Sequence, residues 1–410
     1  MIEFNSIQLH NGLTLIHHED TTTPFVVVNT LYKVGAKDED EHRTGFAHLF
    51  EHLMFGGTKN FPDFDKPLQE SGGENNAFTN NDYTNYYDIV PAENIEIPLC
   101  LEADRMTQLN INTKSLSVQR KVVCEEFKEH YINQPYGDVW HLIREMVYEK
   151  HHYKWPTIGK ELKHIEEATL DDVRSFYQKY YQPGNAILVI AGNINWDKTQ
   201  ELVQHYFGAI SSTSVKHSLI TEPEQTAAKT KTVHEEVPFS ALFINFKMED
   251  RLNKAYYTAD ICSDLLSNGT ASRLQKKLVK EKKVFIEIDC YISGSVETGI
   301  FTVEGKVKED IDMTYAEQLV WEELEKLKTG DVHENELTKC KNKMLTYMNF
   351  SDSSLLNRSI SLAFYELLGD AQLINKEEEF YTNITSADVQ AYAKSLFVKE
   401  KSNTLYYLKK

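Results

Sequence analysis

The chain has 410 residues, of which 41% are hydrophobic and 26% charged. That is more than one hydrophobic core can organise, and it predicts two or three domains of ordinary globular composition. The formal net charge of −18 argues against nucleic acid and anionic membrane as partners and suits a basic or unfolded peptide.

No run of about 18 apolar residues occurs, so no membrane span is expected. The start, Met1-Ile2-Glu3-Phe4-Asn5, lacks the basic-then-apolar pattern of a leader. A cytoplasmic location is therefore expected, or a periplasmic one if a leader has been removed. Cys100, Cys124, Cys262, Cys290 and Cys340 are widely spaced and form no CxxC pair. They read as buried thiols of a reducing compartment.

In chain order, Ile7 to Val34 alternates apolar and polar residues around a hairpin signal at Asn11-Gly12. A charged loop, Gly35 to Arg43, leads into a helix opened by Thr44 or Gly45 and closed by Gly56-Gly57. That helix carries His48-Leu49-Phe50-Glu51-His52. On a helix, positions i and i+4 lie one above the other, so His48 and His52 can aim two imidazole nitrogens at one point, with Glu51 beside it. Two imidazoles and a carboxylate on one face suit a catalytic zinc site, in the HxxEH order. A histidine-rich helix with half-buried, hydrogen-bonded rings would show the same five residues, so the surroundings must decide.

Phe64 to Glu70 reads as a short helix. Glu74 to Val90 is polar, aromatic and β-prone, and reads as a hairpin whose first strand is either a solvated edge or an acceptor for a peptide strand. Ile95 to Leu109 and Leu116 to Tyr131 are helical. In the second, Val118, Val122, Val123 and Phe127 form the expected apolar stripe, with Glu125, Glu126 and Glu129 on or beside it. A carboxylate there is costly unless paired or metal-bound, and a solvated acidic face is the plain alternative. A catalytic zinc needs three protein ligands, so one of these glutamates is the best source of the third, and the pattern alone does not choose among them. Glu51 is then free to act as general base toward a zinc-activated water.

Thr169-Leu170-Asp171-Asp172 starts a helix with a good N-cap. A turn at Pro183-Gly184-Asn185, a buried strand Ala186 to Gly192 and a helix from about Trp196 to Phe207 follow. Ser211 to Lys231 lacks an apolar period and reads as a linker region. The expected division is an N-terminal zinc-binding domain 1–215, a linker 216–231 and a C-terminal domain 232–410. The second half repeats the first. Thr169 to Phe176 matches Thr385 to Tyr392, and an offset of 212 places His48, Glu51 and His52 on Asp260, Ser263 and Asp264. The fold class predicted is α+β: two homologous α/β-sandwich domains from an internal duplication, with a cleft between them or with a partner subunit, and with ligands in one copy only.

These stretches resemble the pitrilysin family of zinc metallopeptidases, the inverzincins, which includes insulin-degrading enzyme and the mitochondrial processing peptidases. The matching features are Gly45 to Gly57 around the HLFEH core, Gly72-Gly73 with Asn75-Asn76-Ala77-Phe78-Thr79, and Asp82-Tyr83-Thr84-Asn85-Tyr86-Tyr87. They continue in Arg120 to Glu126, Tyr181 to Asn185, Ala191-Gly192 and Ser272-Arg273-Leu274. The resemblance implies one Zn2+ per chain, held by His48, His52 and Glu126, with Glu51 as the base. Family spacing is usually a few residues longer, which keeps Glu129 as the fallback ligand. The position seven residues before Glu126, acidic in relatives and supporting the site, is Gln119 here. Asn75, Asn76, Ala77, Phe78 and Thr79 would hold the substrate backbone.

One departure matters. Active relatives carry an Arg and a Tyr, seven apart, that hold the substrate and its oxyanion. The matching positions here are Lys280 and Glu287, with Tyr291 available if the register is shifted. Lysine does not replace a bidentate arginine, and glutamate does not donate to an oxyanion at neutral pH. The resemblance thus implies a zinc endopeptidase subunit acting on peptides or unfolded polypeptides. It is expected to form a heterodimer with a related subunit that supplies the Arg/Tyr pair, with a homodimer as the alternative. A non-catalytic structural or peptide-binding subunit of the same fold is the other functional class.

Overall fold

In a computed structural model, residues 1–294, 296–330 and 332–410 are described. The first half runs β1 (Asn5–Gln8), β2 (Thr14–Glu19), β3 (Phe25–Tyr32), α1 (Phe46–Leu53), α2 (Asp65–Glu70), β4 (Glu74–Thr79), β5 (Thr84–Pro91), α3 (Glu96–Gln108) and α4 (Thr113–Phe127). It continues with α5 (Val139–Val147), α6 (Leu162–Glu166), α7 (Leu170–Tyr180), β6 (Ala186–Gly192) and α8 (Trp196–Phe207). The second half runs β7 (Lys229–Glu235), β8 (Ala241–Met248), α9 (Lys254–Ser267), β9 (Phe285–Ser293) and β10 (Gly299–Val307). It ends with α10 (Met313–Thr329), α11 (Glu334–Asp352), α12 (Leu355–Leu367), α13 (Glu377–Thr382), α14 (Ser386–Leu396) and β11 (Ser402–Lys409). The last three residues of the expected linker region, Lys229 to Lys231, belong to β7.

Two sheets form, ordered β1-β2-β6-β3-β5-β4 and β7-β11-β8-β10-β9. Without β1 the two sheets have the same strand order, with β2/β7, β6/β11, β3/β8, β5/β10 and β4/β9 as counterparts. In both, the first of these pairs is parallel (β2 with β6, β7 with β11), and the remaining pairings are antiparallel. The same helices recur at the same points: α7 and α14 each begin with a threonine capping box, Thr169 with Asp172 and Thr385 with Asp388. Two copies of one α/β sandwich are what the sequence repeat predicts.

The compact units are interleaved along the chain. One comprises Met1–His130, Trp155–Ile220 and Phe350–Asn375; the other comprises Tyr131–Lys154, Thr221–Asn349 and Lys376–Lys410. Strand alternation shows why a helix from the opposite half is needed. In β8, Leu242, Ile244 and Phe246 enter a core with α9, α10 and α14, while Ala241 and Phe243 point to the other face. That second face is covered by Val139, Ile143, Met146 and Val147 of α5. Correspondingly, Ile16, Leu31, Ile187 and Val189 of the first sheet are covered by Leu362 and Ala363 of α12. Sheets buried on both faces read as near-continuous apolar runs, as Ala186 to Gly192 does.

Two expectations are corrected. The apolar stripe on α4 is Leu116, Val123, Cys124 and Phe127; Val118 and Val122 are 49% and 40% exposed. At 100° per residue, those two valines lie well off the line of Leu116, Val123 and Phe127 and belong to a second, solvent-facing row. Cys100 is half-buried, whereas the other four thiols are buried; all five are free.

Candidate metal centre

Helix α1 is only eight residues long, too short to be stable without help from its surroundings. Phe46, Ala47, Leu49, Phe50 and Leu53 are buried and anchor one side. Phe50 stacks on Phe176 and Tyr181, with ring centroids 5.2 and 5.0 Å away, and its carbonyl accepts a 3.3 Å bond from the Tyr86 hydroxyl. The N-terminus is held by Glu39, a buried carboxylate that accepts 2.8 Å bonds from the amides of Gly45 and Ala47. Burial pushes the Glu39 carboxyl up to about 8, against the lowering effect of those amides and of Trp155. Gly45 precedes the helix at φ +88°, and a Cβ there would lie 2.6 Å from Ile165 Cδ1 and 2.7 Å from the Ile158 carbonyl.

This anchoring leaves His48 and His52 on the other side. Their Nε2 atoms are 3.3 Å apart. The Glu126 Oε2 atom is 3.7 Å from His48 Nε2 and 3.4 Å from His52 Nε2. Among the described residues, these three form the one group of His, Cys, Asp and Glu side chains with ligand atoms converged within 4.8 Å. A tetrahedral ion about 2.0–2.1 Å from each donor separates donors by about 3.4 Å, so two imidazoles and one carboxylate fit zinc and leave a fourth position open. Burial first, and then the neighbouring His52, push His48 down to about 4, so its ring is neutral at pH 7, as a ligand must be. His48 Nδ1 is buried without a partner, which leaves Nε2 as the nitrogen that faces the cluster.

Glu126 comes from α4, which is N-capped by Asn112 and tied down by Arg120, whose Nη1 donates to the carbonyls of Glu166 and Ala168 at 2.9 and 3.1 Å. The other candidates on this segment lie outside the cluster. Glu125 is exposed and pairs with Lys128 at 2.8 Å, and Glu129 is exposed on a π turn, Lys128–Ile132, that follows α4. Gln119 lies two turns before Glu126 on the same helix, half-buried.

Glu51 sits between the cluster and the sheet. Its carboxyl is raised mainly by burial, and the hydroxyl and amide of Thr79 offset part of that rise. Thr79 ends β4, which pairs only with β5 and is an edge of the first sheet. Along β4, Asn75 donates to Asp65 at 2.9 Å, the Asn76 side chain accepts from the Ala77 amide at 2.8 Å, and Phe78 packs edge-on against Tyr83. Sequence reasoning found His48, Glu51, His52 and Glu126, but missed Glu39 and the facing of Glu51 by Thr79. Glu39 lay inside a stretch read as a plain charged loop.

The second unit has no such cluster among its described residues. Asp260 accepts from Tyr381 at 2.7 Å, and Asp264 accepts from Asn268 at 2.5 Å. The residues at the expected Arg and Tyr positions are engaged locally: Lys280 donates to the Thr270 carbonyl at 2.6 Å, and Glu287 pairs with Lys306 at 2.6 Å. The fallback Tyr291 donates to Glu304 at 2.7 Å.

The family model described as "Insulinase (Peptidase family M16)" matches residues 14–161, and "Peptidase M16 inactive domain" matches residues 167–344. The chain belongs to the M16 peptidase family, the pitrilysin family of zinc metallopeptidases. Among M16 relatives, a protein named zinc protease PqqE from Helicobacter pylori is 29% identical over 409 residues, covering 98% of this chain and 92% of that one. A probable mitochondrial-processing peptidase subunit beta of Schizosaccharomyces pombe is 24% identical over 66% of this chain and 61% of its own length. The solved structure of a protease from Helicobacter pylori superimposes with a TM-score of 0.93 at 28% identity, covering 99% of this chain and all of that one. Among the described residues, no helix of this M16 chain is long and apolar enough to cross a membrane.

Proposed function

We propose that this chain is the zinc-bearing subunit of an endopeptidase. His48, His52 and Glu126 would hold one zinc, which when bound supplies a Lewis acid that polarises the scissile carbonyl and acidifies water. Glu51, desolvated and beside the cluster, takes the proton of the attacking water and delivers it to the departing amine. The free edge of β4 pairs with an extended substrate backbone and sets the scissile bond against Glu51. The single observation that carries the reading is the convergence of two imidazoles and a carboxylate beside a half-buried glutamate. Its support from relatives is that they are named zinc proteases.

A related partner subunit completes the site. The support for this is chemical: Lys280, Glu287 and Tyr291 are each committed to another group, so none is a ready replacement for an Arg/Tyr pair. The test is Glu51→Gln. It should retain zinc at the native stoichiometry and lower peptide cleavage by at least about a hundredfold. Unchanged cleavage would sink the assignment of the base, and loss of zinc would show that Glu51 is a ligand. The same variant separates the enzyme from a peptide-binding subunit, whose peptide affinity would not depend on proton transfer by Glu51.

A further inference from the structure

The internal duplication supplies a control for each feature of the second unit, and one feature fails it. In the first unit the connection from β3 to α1 spans residues 33–45; in the second, the connection from β8 to α9 spans only residues 249–253. The longer connection lays Arg43 against α7, where Arg43 pairs with Asp172 Oδ1. The other oxygen of Asp172 is occupied by its own capping box, accepting from the amide and hydroxyl of Thr169.

Asp388 is the counterpart of Asp172. Its Oδ2 accepts from the amide and hydroxyl of Thr385 at 2.8 and 2.6 Å, which reproduces the capping box. Its Oδ1 has no hydrogen bond or ion pair among the described residues. In place of the arginine there is a cavity of about 480 Å³ between the start of α9, α13 and α14. Glu379 lines it as a second carboxylate without an ionic partner among the described residues, and Lys254 on the rim pairs with neither acid. Phe380 and Tyr392 form an apolar wall. Thr258 also lines the cavity; it is 8% exposed, and its hydroxyl has no hydrogen-bond partner among the described residues.

We propose that this cavity is a binding site for a guanidinium-bearing peptide side chain. The arginine stem packs on Phe380 and Tyr392, and the planar head reaches Asp388 Oδ1, Glu379 and the Thr258 hydroxyl. The ligand thus restores the arginine–aspartate pair that the first unit makes within its own chain. Guanidinium is favoured over ammonium because two carboxylates and a hydroxyl present several acceptors to a flat fork of donors. The overall charge of −18 favours approach of such a cationic segment. The proposal is independent of the zinc reading, since none of these residues belongs to the His48, His52 and Glu126 cluster.

The test is calorimetric titration of the full chain with Nα-acetyl-arginine amide, with the uncharged citrulline analogue and the lysine analogue as comparisons. Saturable binding of the arginine probe is expected, at least about fivefold tighter than either comparison, because charge-assisted fork bonds are roughly twice as strong as neutral ones. E379Q should weaken it about fivefold, and A391W, which fills the cavity from the exposed Ala391 position on α14, should abolish it. Glu379 caps no helix, so E379Q reports on binding without disturbing the Thr385–Asp388 capping box. Absence of saturable binding, equal binding of the citrulline analogue, or undiminished binding by folded A391W would each overturn the proposal.

Discussion

At the scale of the residue, the centre is a set of groups whose charge is controlled by burial. His48 is kept neutral by the same desolvation that raises Glu51 and Glu39. Glu39 makes this measurable. Its folded carboxyl is pushed up to about 8 from an ordinary 4.5, so the folded chain holds that proton more tightly than the unfolded one. The stability it contributes is complete below about pH 4.5 and is lost as the pH rises through about 8. Urea midpoints across that window should therefore fall less steeply for Glu39→Gln than for the native chain; parallel curves would contradict the burial of an ionisable group at the head of α1. His48, His52 and Glu51 were legible in the sequence because one helix period brings them together. Glu126 needed the family resemblance to single it out from Glu125 and Glu129. Glu39, and the contact of Thr79 with Glu51, were not legible, because contacts between α1 and distant segments follow no local period.

At the scale of the element, α1 and α4 show how a site is aimed. Gly45 adopts φ +88° against the Ile158 carbonyl and Ile165. Gly45→Ala should cost roughly 1–3 kcal/mol in denaturant unfolding, since it adds left-handed strain and a backbone clash. It should also weaken zinc binding, because the helix that carries two ligands must shift. Helix α4 gives the opposite lesson. Val118 and Val122 looked like core and are exposed, so Val122→Ser should change stability by no more than about 0.5 kcal/mol. A larger loss in the isolated chain would contradict the buried face assigned to Leu116, Val123, Cys124 and Phe127. Valines spaced at i and i+4 satisfy a helical period wherever they point; only the packed neighbours decide which face is inward.

At the scale of the whole molecule, duplication was readable and exchange was not. The repeated Thr-x-x-Asp capping boxes and the strand that follows each of them carry their register in the sequence. By contrast, α5 and α12 are ordinary amphipathic helices, and nothing in their composition states which sheet they cover. Because α12 covers Ile16, Leu31, Ile187 and Val189, a fragment of residues 1–231 leaves that face bare. It should bind a hydrophobic dye strongly and unfold without a sharp transition, and co-expression with residues 232–410 should restore cooperative unfolding. A fragment that folds cooperatively alone would contradict the exchange.

The central claim is that His48, His52 and Glu126 hold zinc. Metal analysis of the purified chain, alongside Glu126→Gln and Glu129→Gln, tests it most directly. One zinc per native chain is expected, unchanged in Glu129→Gln and lost, or weakened by more than the roughly 10–100-fold that losing an outer-shell partner costs, in Glu126→Gln. Zinc retained at native affinity by Glu126→Gln would contradict the account.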